Sequence, residues 1–284
     1  MILITGPTGT SGGEIVRQLA ATGTRFRALV RNPQKAQSLK SPQVELVAGD
    51  LADGGSLASA LSGVDRLLML APPAPNAHEL EMNLLEAAKK AGIRHIIKFS
   101  AMTADPASKA RFPRSHGQTE QQIRASGIAW TFLRPTFFMQ NLLGLADMVR
   151  GGTIYQPAAD SKAAFVDTRD IAAVAVKALT EAGHEGKAYD ITGPELLSYT
   201  DVARIFSERL GKAVNYHDIP PAAANDAMLK MGIPQWNVDG ILELMDQMRA
   251  GEYARVTQVV HDVARRQPIT LAQFVDVNRA AFGG

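Results

Sequence analysis

The sequence predicts an α/β fold: a Rossmann-type, doubly wound parallel sheet with a smaller, mostly helical C-terminal lobe. Three observations carry that expectation. Short apolar runs alternate with amphipathic runs through the first half of the chain, the rhythm of strand–helix–strand units. The apolar runs are nearly continuous, as in parallel strands covered on both faces. The first of them passes straight into a glycine-rich turn and then into a helical run.

Taken in order, strands are expected over residues 2–5, 25–30, 44–48, 66–70, 95–100 and 129–133, with helices over 13–21, 55–62, 77–91 and 115–125 between them. Gly23, Gly92 and Gly127 stand where helices should end in a left-handed residue. Ser115 with Gln118 matches a capping box for the fourth helix, and Pro113 would suit a slightly earlier start. After Arg134-Pro135 the rhythm changes. Helices are expected over 137–150, 168–181 and 199–210, strands over 188–191 and 214–217, and a mainly helical tail. Asp167 and Asp170 read as a cap and a first-turn charge for the helix from 168. The division expected is a nucleotide-binding domain over 1–150, with returns to the sheet near 163–192, and a mainly substrate-binding lobe over 151–284.

Composition narrows the function classes. The 284 residues include no cysteine, which excludes disulfides, zinc–thiolate sites and thiol catalysis. The net charge is +2, with Lys and Arg scattered, so no nucleic-acid partner is expected. No apolar stretch has the length of a membrane span, and no charged segment precedes an apolar leader; a cytoplasmic location is expected. His78, His95, His184, His217 and His261 are dispersed without ligand spacing, so no metal is expected. A nucleophile elbow and a P-loop are both missing.

The turn after the first strand reads Gly6-Pro7-Thr8-Gly9-Thr10-Ser11-Gly12. A tight strand-to-helix turn, a close backbone approach to a pyrophosphate, and close helix–strand packing each call for a residue without Cβ. The helix start then aims free N–H groups at the phosphates. Gly6, Thr8, Gly9, Thr10, Ser11 and Gly12 are therefore candidate dinucleotide contacts, although the spacing is G-x-x-G-x-x-G rather than G-x-G-x-x-G. Arg31 stands at the end of the second strand, where NAD sites carry an acidic residue. With Lys35 nearby, it points to a 2′-phosphate and so to NADP(H). Asp50 and Leu51 follow the third strand and suit the adenine, or Asp50 caps the next helix. Ala71 and Pro72 follow the fourth strand at the ligand-binding edge of the sheet, and Pro135 ends the sixth.

These segments resemble the short-chain dehydrogenase/reductase superfamily, in its atypical NmrA-like branch. The similarity is carried by Thr5-Gly6, Gly9, Gly12, Val30-Arg31-Asn32-Pro33, Gly49-Asp50, Phe99-Ser100-Ala101, His116 to Glu120, Leu133-Arg134-Pro135, Phe137 to Asn141 and Phe165-Val166-Asp167. The resemblance implies a Rossmann fold, NADP(H), and either a reductase or a non-catalytic redox-sensing regulator. Superfamily members with the common site use a Ser and a Tyr-x-x-x-Lys, the Lys lowering the pKa of the Tyr. Here Ser100 holds the Ser position, His116 the Tyr-like one and Glu120 the Lys-like one. Glu120 would raise the pKa of His116 rather than lower it. His116 is read either as the proton donor to a reduced oxygen or as a structural residue hydrogen-bonded to Glu120. Ser100 either orients substrate or simply ends a strand.

Phe137, Phe138, Met139 and Asn141 are candidate walls for an apolar acceptor, with ordinary core packing as the alternative. The function expected is hydride transfer from NADPH to a small electron-poor acceptor such as a quinone or dye, where positioning supplies most of the catalysis. The alternative is an NADP(H)-binding sensor. Monomer and homodimer are both open.

Overall fold

The computed structural model describes residues 1–284. Its strands are β1 (Ile2–Ile4), β2 (Phe26–Val30), β3 (Val44–Ala48), β4 (Arg66–Met69), β5 (His95–Phe99), β6 (Ala129–Pro135), β7 (Thr153–Gln156), β8 (Lys187–Ile191) and β9 (Asn215–Asp218). Seven of them form one sheet in the order β3-β2-β1-β4-β5-β6-β8. The pairings β1 with β2, β1 with β4, β2 with β3, β4 with β5 and β5 with β6 are all parallel. The chain winds outward from β1 to β3 and then restarts on the other side at β4. That reversal makes a topological switch point between β1 and β4, the place where open α/β sheets bind ligands.

Two compact units divide the chain. The first comprises Met1–Ser108, Phe112–Arg134 and Ile171–Asp190; the second comprises Lys109–Arg111, Pro135–Asp170 and Ile191–Gly284. The boundary expected at 150 thus lies inside the second unit, which begins to take the chain at Pro135. The first unit regains Ile171–Asp190, the segment that carries most of β8.

In the first unit, α1 (Thr10–Ala21), α2 (Gly54–Leu61), α3 (Ala77–Ala91) and α4 (Arg111–Ala125) pack onto the strands. Leu57, Leu61, Leu84, Leu85, Ala88 and Ile123 meet Leu3, Leu67, Ile96 and Phe132 in one buried cluster. Each such Leu, Ile or Phe side chain withdrawn from water stabilises the fold by about 1.5–3 kcal/mol. All five residues of β5 are buried, which explains its largely apolar run; His95 and Lys98 are the exceptions within it. Gly23, Gly92 and Gly127 adopt φ of 77°, 71° and 80°, as expected of helix ends.

The capping box expected at Ser115 does not form, because α4 already begins at Arg111. Pro113 sits in its first turn, where the missing N–H goes unneeded. Gly117 is pressed against the preceding loop: a Cβ there would lie 2.2 Å from the carbonyl carbon of Asp105.

In the second unit the helix expected over 137–150 is split. A 3₁₀ segment, Met139–Leu145, precedes a single α-helical stretch, α5 (Ala146–Arg150). Gly144, a poor helix former, lies in the 3₁₀ part. α6 (Thr168–Thr180) and α7 (Tyr199–Leu210) fall close to expectation, the latter with a capping box between Ser198 and Asp201. Asp167 Oδ1 accepts from the Arg169 N–H at 2.8 Å, as a cap should. Asp170 is held by Arg266 and by the Ile269 N–H at 2.8 Å. β7 was not expected; it is four residues long, only one of them buried, and pairs in parallel with β9 in a separate two-stranded sheet. No helix is long and apolar enough to cross a membrane.

Candidate functional site

The glycine loop leaves β1 at the switch point. Thr5 Oγ1 ties the ends of β1 and β4 together, donating to the Leu70 carbonyl at 2.8 Å and accepting from the Leu70 N–H at 2.8 Å. Gly6 follows with φ of 64°, and a Cβ on it would come within 2.1 Å of the Leu70 side chain. A Cβ on Gly12 would lie 2.0 Å from the Gly6 carbonyl oxygen, so the first turn of α1 closes on the loop only because Gly12 has none. Gly9 differs: the nearest atom to its Cβ position is 3.6 Å away, an ordinary contact. Two glycines are required by the loop's own backbone, and the third leaves space beside the start of α1. Gly9 caps that helix without a side-chain acceptor, and no acidic residue occupies its first turn. The orphan N–H groups of Thr10, Ser11 and Gly12 thus form an anion-ready helix start. Thr8 and Thr10 are exposed, and Ser11 is buried.

Arg31, immediately after β2, is exposed and its side chain has no partner within the chain. Asn32 starts a 3₁₀ helix, Pro33–Leu39, by accepting from the Gln34 and Lys35 N–H groups, which brings the exposed, likewise unpaired Lys35 near Arg31 in the chain. Asp50 does not cap the next helix, contrary to the alternative raised above. Asp53 does so, its Oδ1 accepting from the Gly55 N–H at 3.0 Å. Asp50 instead turns onto the Ala52 N–H at 2.9 Å through Oδ1, leaving Oδ2 free. Leu51 is held by Asn83, whose amide donates to its carbonyl at 3.1 Å. Ala71 is half-buried and Pro72 exposed, just past β4.

Past the end of β5 lies a polar cluster that no single stretch of sequence announces. Ser100 and Glu120 are 2% and 3% exposed, and the Ser100 hydroxyl donates to Glu120 Oε1 at 2.6 Å. Arg134, near the end of β6, grips the same carboxylate through both Nε, at 2.9 Å, and Nη2. Glu120 is therefore committed away from His116, and the expected pairing of the two does not occur. His116 Nδ1 instead lies 3.2 Å from Lys98 Nζ. Burial, aided by that ammonium, holds the imidazole well below the usual histidine range, the opposite of the effect expected from Glu120. Lys98 is itself fully buried and paired with Glu81 of α3 at 2.7 Å. Thr119 donates to Glu81 at 2.8 Å, and His78 Nδ1 stands 2.9 Å from the Thr119 hydroxyl.

In the second unit, Phe137 is half-buried in an aromatic group, edge-on to Tyr253 at 4.7 Å between centroids and tilted against Phe165 at 6.2 Å. Phe138 is half-buried and Asn141 exposed. Met139 is 1% exposed, so this side chain is core and offers no surface to an acceptor, which corrects its expected place among the walls. Pro135 is buried as the last residue of β6.

Lys98, Glu81 and Arg134 were absent from the expected site. The signal for Lys98 was present: a cation in the middle of a strand read as covered on both faces must be buried, and a buried cation must be paired. Nothing local pointed to Glu81, which sits on a helix 17 residues earlier.

A model of the NmrA-like family matches residues 1–274. The chain is 41% identical over 284 residues, all of it and 99% of the relative, to an NAD(P)H azoreductase of Xenophilus azovorans. Among solved structures, it resembles an NADPH-dependent quinone oxidoreductase of Escherichia coli in complex with NADPH, with a TM-score of 0.91, 31% identity, and 98% and 99% of the two chains covered. A triphenylmethane reductase of Citrobacter sp. with NADP(H) aligns at a TM-score of 0.90 and 27% identity, with the same coverage.

Proposed function

The chain belongs to the NmrA-like family, and on that premise we propose that it is an NADPH-dependent reductase delivering hydride to a small, flat, electron-poor acceptor such as a quinone or dye. The observation that carries this reading is the open helix start at the switch point, with the unpaired Arg31 and Lys35 where an NAD site would have a carboxylate. The relatives named above, an azoreductase, a quinone reductase and a dye reductase, support the class of acceptor. NADPH supplies the hydride when bound, and one proton taken from water balances the conversion of a quinone to its hydroquinone.

The residues divide the rest of the work. Gly6, Gly9, Gly12 and the N–H groups of Thr10 and Ser11, beside Thr8, receive the pyrophosphate. Arg31 and Lys35 hold the 2′-phosphate, the former through its planar fork. Asp50 accepts from the adenine amino group with its free oxygen, and Leu51 flanks the ring. Ala71 and Pro72 line the strand end beside the cofactor. The Ser100 hydroxyl directs its O–H to Glu120, so its oxygen serves as an acceptor for the nicotinamide carboxamide N–H. His116 offers a hydrogen bond to the acceptor atom on which negative charge builds. A cysteine-free chain suits a reducing cytoplasm, the location this reading assigns.

The sensor alternative draws its support from the missing Tyr and Lys of the common site. Lys98 supplies a cation next to His116 from the sheet instead, and that favours an enzyme. The test is NADPH oxidation, followed by its near-ultraviolet absorbance, against a panel of quinones, azo dyes and triphenylmethane dyes. Turnover with NADPH well ahead of NADH is expected. Tight NADPH binding with no turnover on any acceptor would overturn the reductase reading in favour of the sensor.

A further inference from the structure

We propose that Lys98 is the positioning residue of this site: it fixes His116 as the neutral tautomer with its proton on Nε2. The inference rests on the reductase reading for its kinetic consequence but not for its structural one.

Three elements build the arrangement. Lys98 is the fourth residue of β5, buried between Met69 of β4 and Phe132 of β6 in the sheet register. His78 and Glu81 are three apart on α3, and His116 and Thr119 are three apart on α4, so each pair shares one helix face. An ammonium has three N–H donors and no lone pair. Those of Lys98 are directed to Glu81 Oε1 at 2.7 Å, to the Phe99 carbonyl at 2.5 Å and to His116 Nδ1 at 3.2 Å. A nitrogen facing an ammonium can only accept, so Nδ1 carries no proton and the ring's single proton lies on Nε2. Nε2 has no partner within the chain, and it is not among the buried polar atoms left without one; it therefore opens onto accessible space as a donor.

The charged groups around the ring hold this state. Glu81 neutralises Lys98 and is itself held by Thr119, which is in turn met by His78. Glu120, on the next turn of α4, is consumed by Ser100 and Arg134 and exerts no direct pull on the imidazole. His116 thus acts as a fixed neutral hydrogen-bond donor, not as an imidazolium acid. The cation that other superfamily members place on the helix, four residues past the Tyr, is here delivered from the strand.

The experiment is ring-nitrogen magnetic resonance on histidine-labelled protein, the His116 signals being identified by their loss in His116→Gln. We expect Nδ1 unprotonated and Nε2 protonated from about pH 6 to 8. A proton on Nδ1, or titration near the ordinary histidine pKa, would overturn the inference. Lys98→Met combined with Glu81→Gln removes the donor without stranding a carboxylate. It should mix the tautomers, return the pKa towards its ordinary value and lower kcat by about tenfold to a hundredfold, with NADPH affinity within about twofold. Lys98→Arg should recover most of kcat. Unchanged ring signals and kcat in the double variant would also overturn it. Wild-type protein that turns over no acceptor while keeping its proton on Nε2 would sink the reductase reading and leave the tautomer assignment standing.

Discussion

The glycine loop and the Lys98–His116 cluster lie at the ends of β1 and β5, with β4 between them in one sheet, yet they are held in opposite ways. The loop is seven consecutive residues whose shape comes from backbone: Gly6 turns, Gly12 closes, and the Gly9 N–H reaches back to the Gly6 carbonyl at 3.2 Å. The cluster is assembled from β5, α3, α4 and β6, and its shape comes from charge withdrawn from water: Lys98 with Glu81, Arg134 with Glu120. A backbone-built site tolerates side-chain change and is broken by a methyl group. A charge-built site tolerates the loss of both partners better than the loss of one.

The sharpest break in that comparison is Arg134→Ala. It leaves the Glu120 carboxylate buried with Ser100 and the distant Arg124, 3.8 Å away. A loss of about 3–5 kcal/mol in urea unfolding is expected; a loss below about 1 kcal/mol would mean the pair behaves like a surface one. Next, Gly12→Ala forces a methyl group onto the Gly6 carbonyl, with an expected destabilisation of about 1–3 kcal/mol and loss of NADPH binding. Gly9→Ala is its control: Tm should hold, while NADPH affinity falls. If both variants lose stability equally, the division of labour among the glycines is wrong. Third, Arg31→Ala should raise the Kd for NADPH about tenfold, near 1.4 kcal/mol, and leave NADH almost unchanged in a fluorescence titration. Equal losses for the two would refute the 2′-phosphate assignment.

The smallest effect concerns pH. His116 is held well below the usual range by burial and by Lys98, and burial also lowers His95 and His184. In each case the unfolded chain takes up a proton that the folded chain refuses. Stability from these groups is therefore full above the unfolded pKa of about 6.5 and is lost as pH falls below it. His116→Gln should recover under about 1 kcal/mol of the loss at about pH 6, read as a flatter dependence of the urea midpoint on pH. A steeper dependence in the variant would reverse the sign assigned here.

The comparison also explains what was legible. The succession of strands and helices, the glycine helix ends and the glycine loop follow from patterns within a few residues, where periodicity and backbone freedom act locally. The start of α4 differs from expectation because Ser115 and Gln118 imitate a capping box, while the helix begins at Arg111, whose N–H donates to Glu243 Oε2 at 2.7 Å. The helix over 137–150 was overextended because apolar spacing does not register Gly144. Met139 looked like a wall residue because position after a strand end says nothing about which way a side chain turns. It is buried, and Phe137, two residues before it, is not.

By itself, the sequence determined the doubly wound sheet and the glycine turn between β1 and α1, since each depends on residue type at short range: apolar periodicity and missing Cβ atoms. Only the tertiary structure decided the state of His116. Two carboxylates and two cations compete for this region, and the sequence places Glu120 closest to His116. Folding hands Glu120 to Arg134 and brings Lys98 through the sheet to the imidazole. A buried ion satisfies its hydrogen bonds with whatever partner the fold brings within about 3 Å, and that partner is set by strand register and helix packing rather than by distance along the chain.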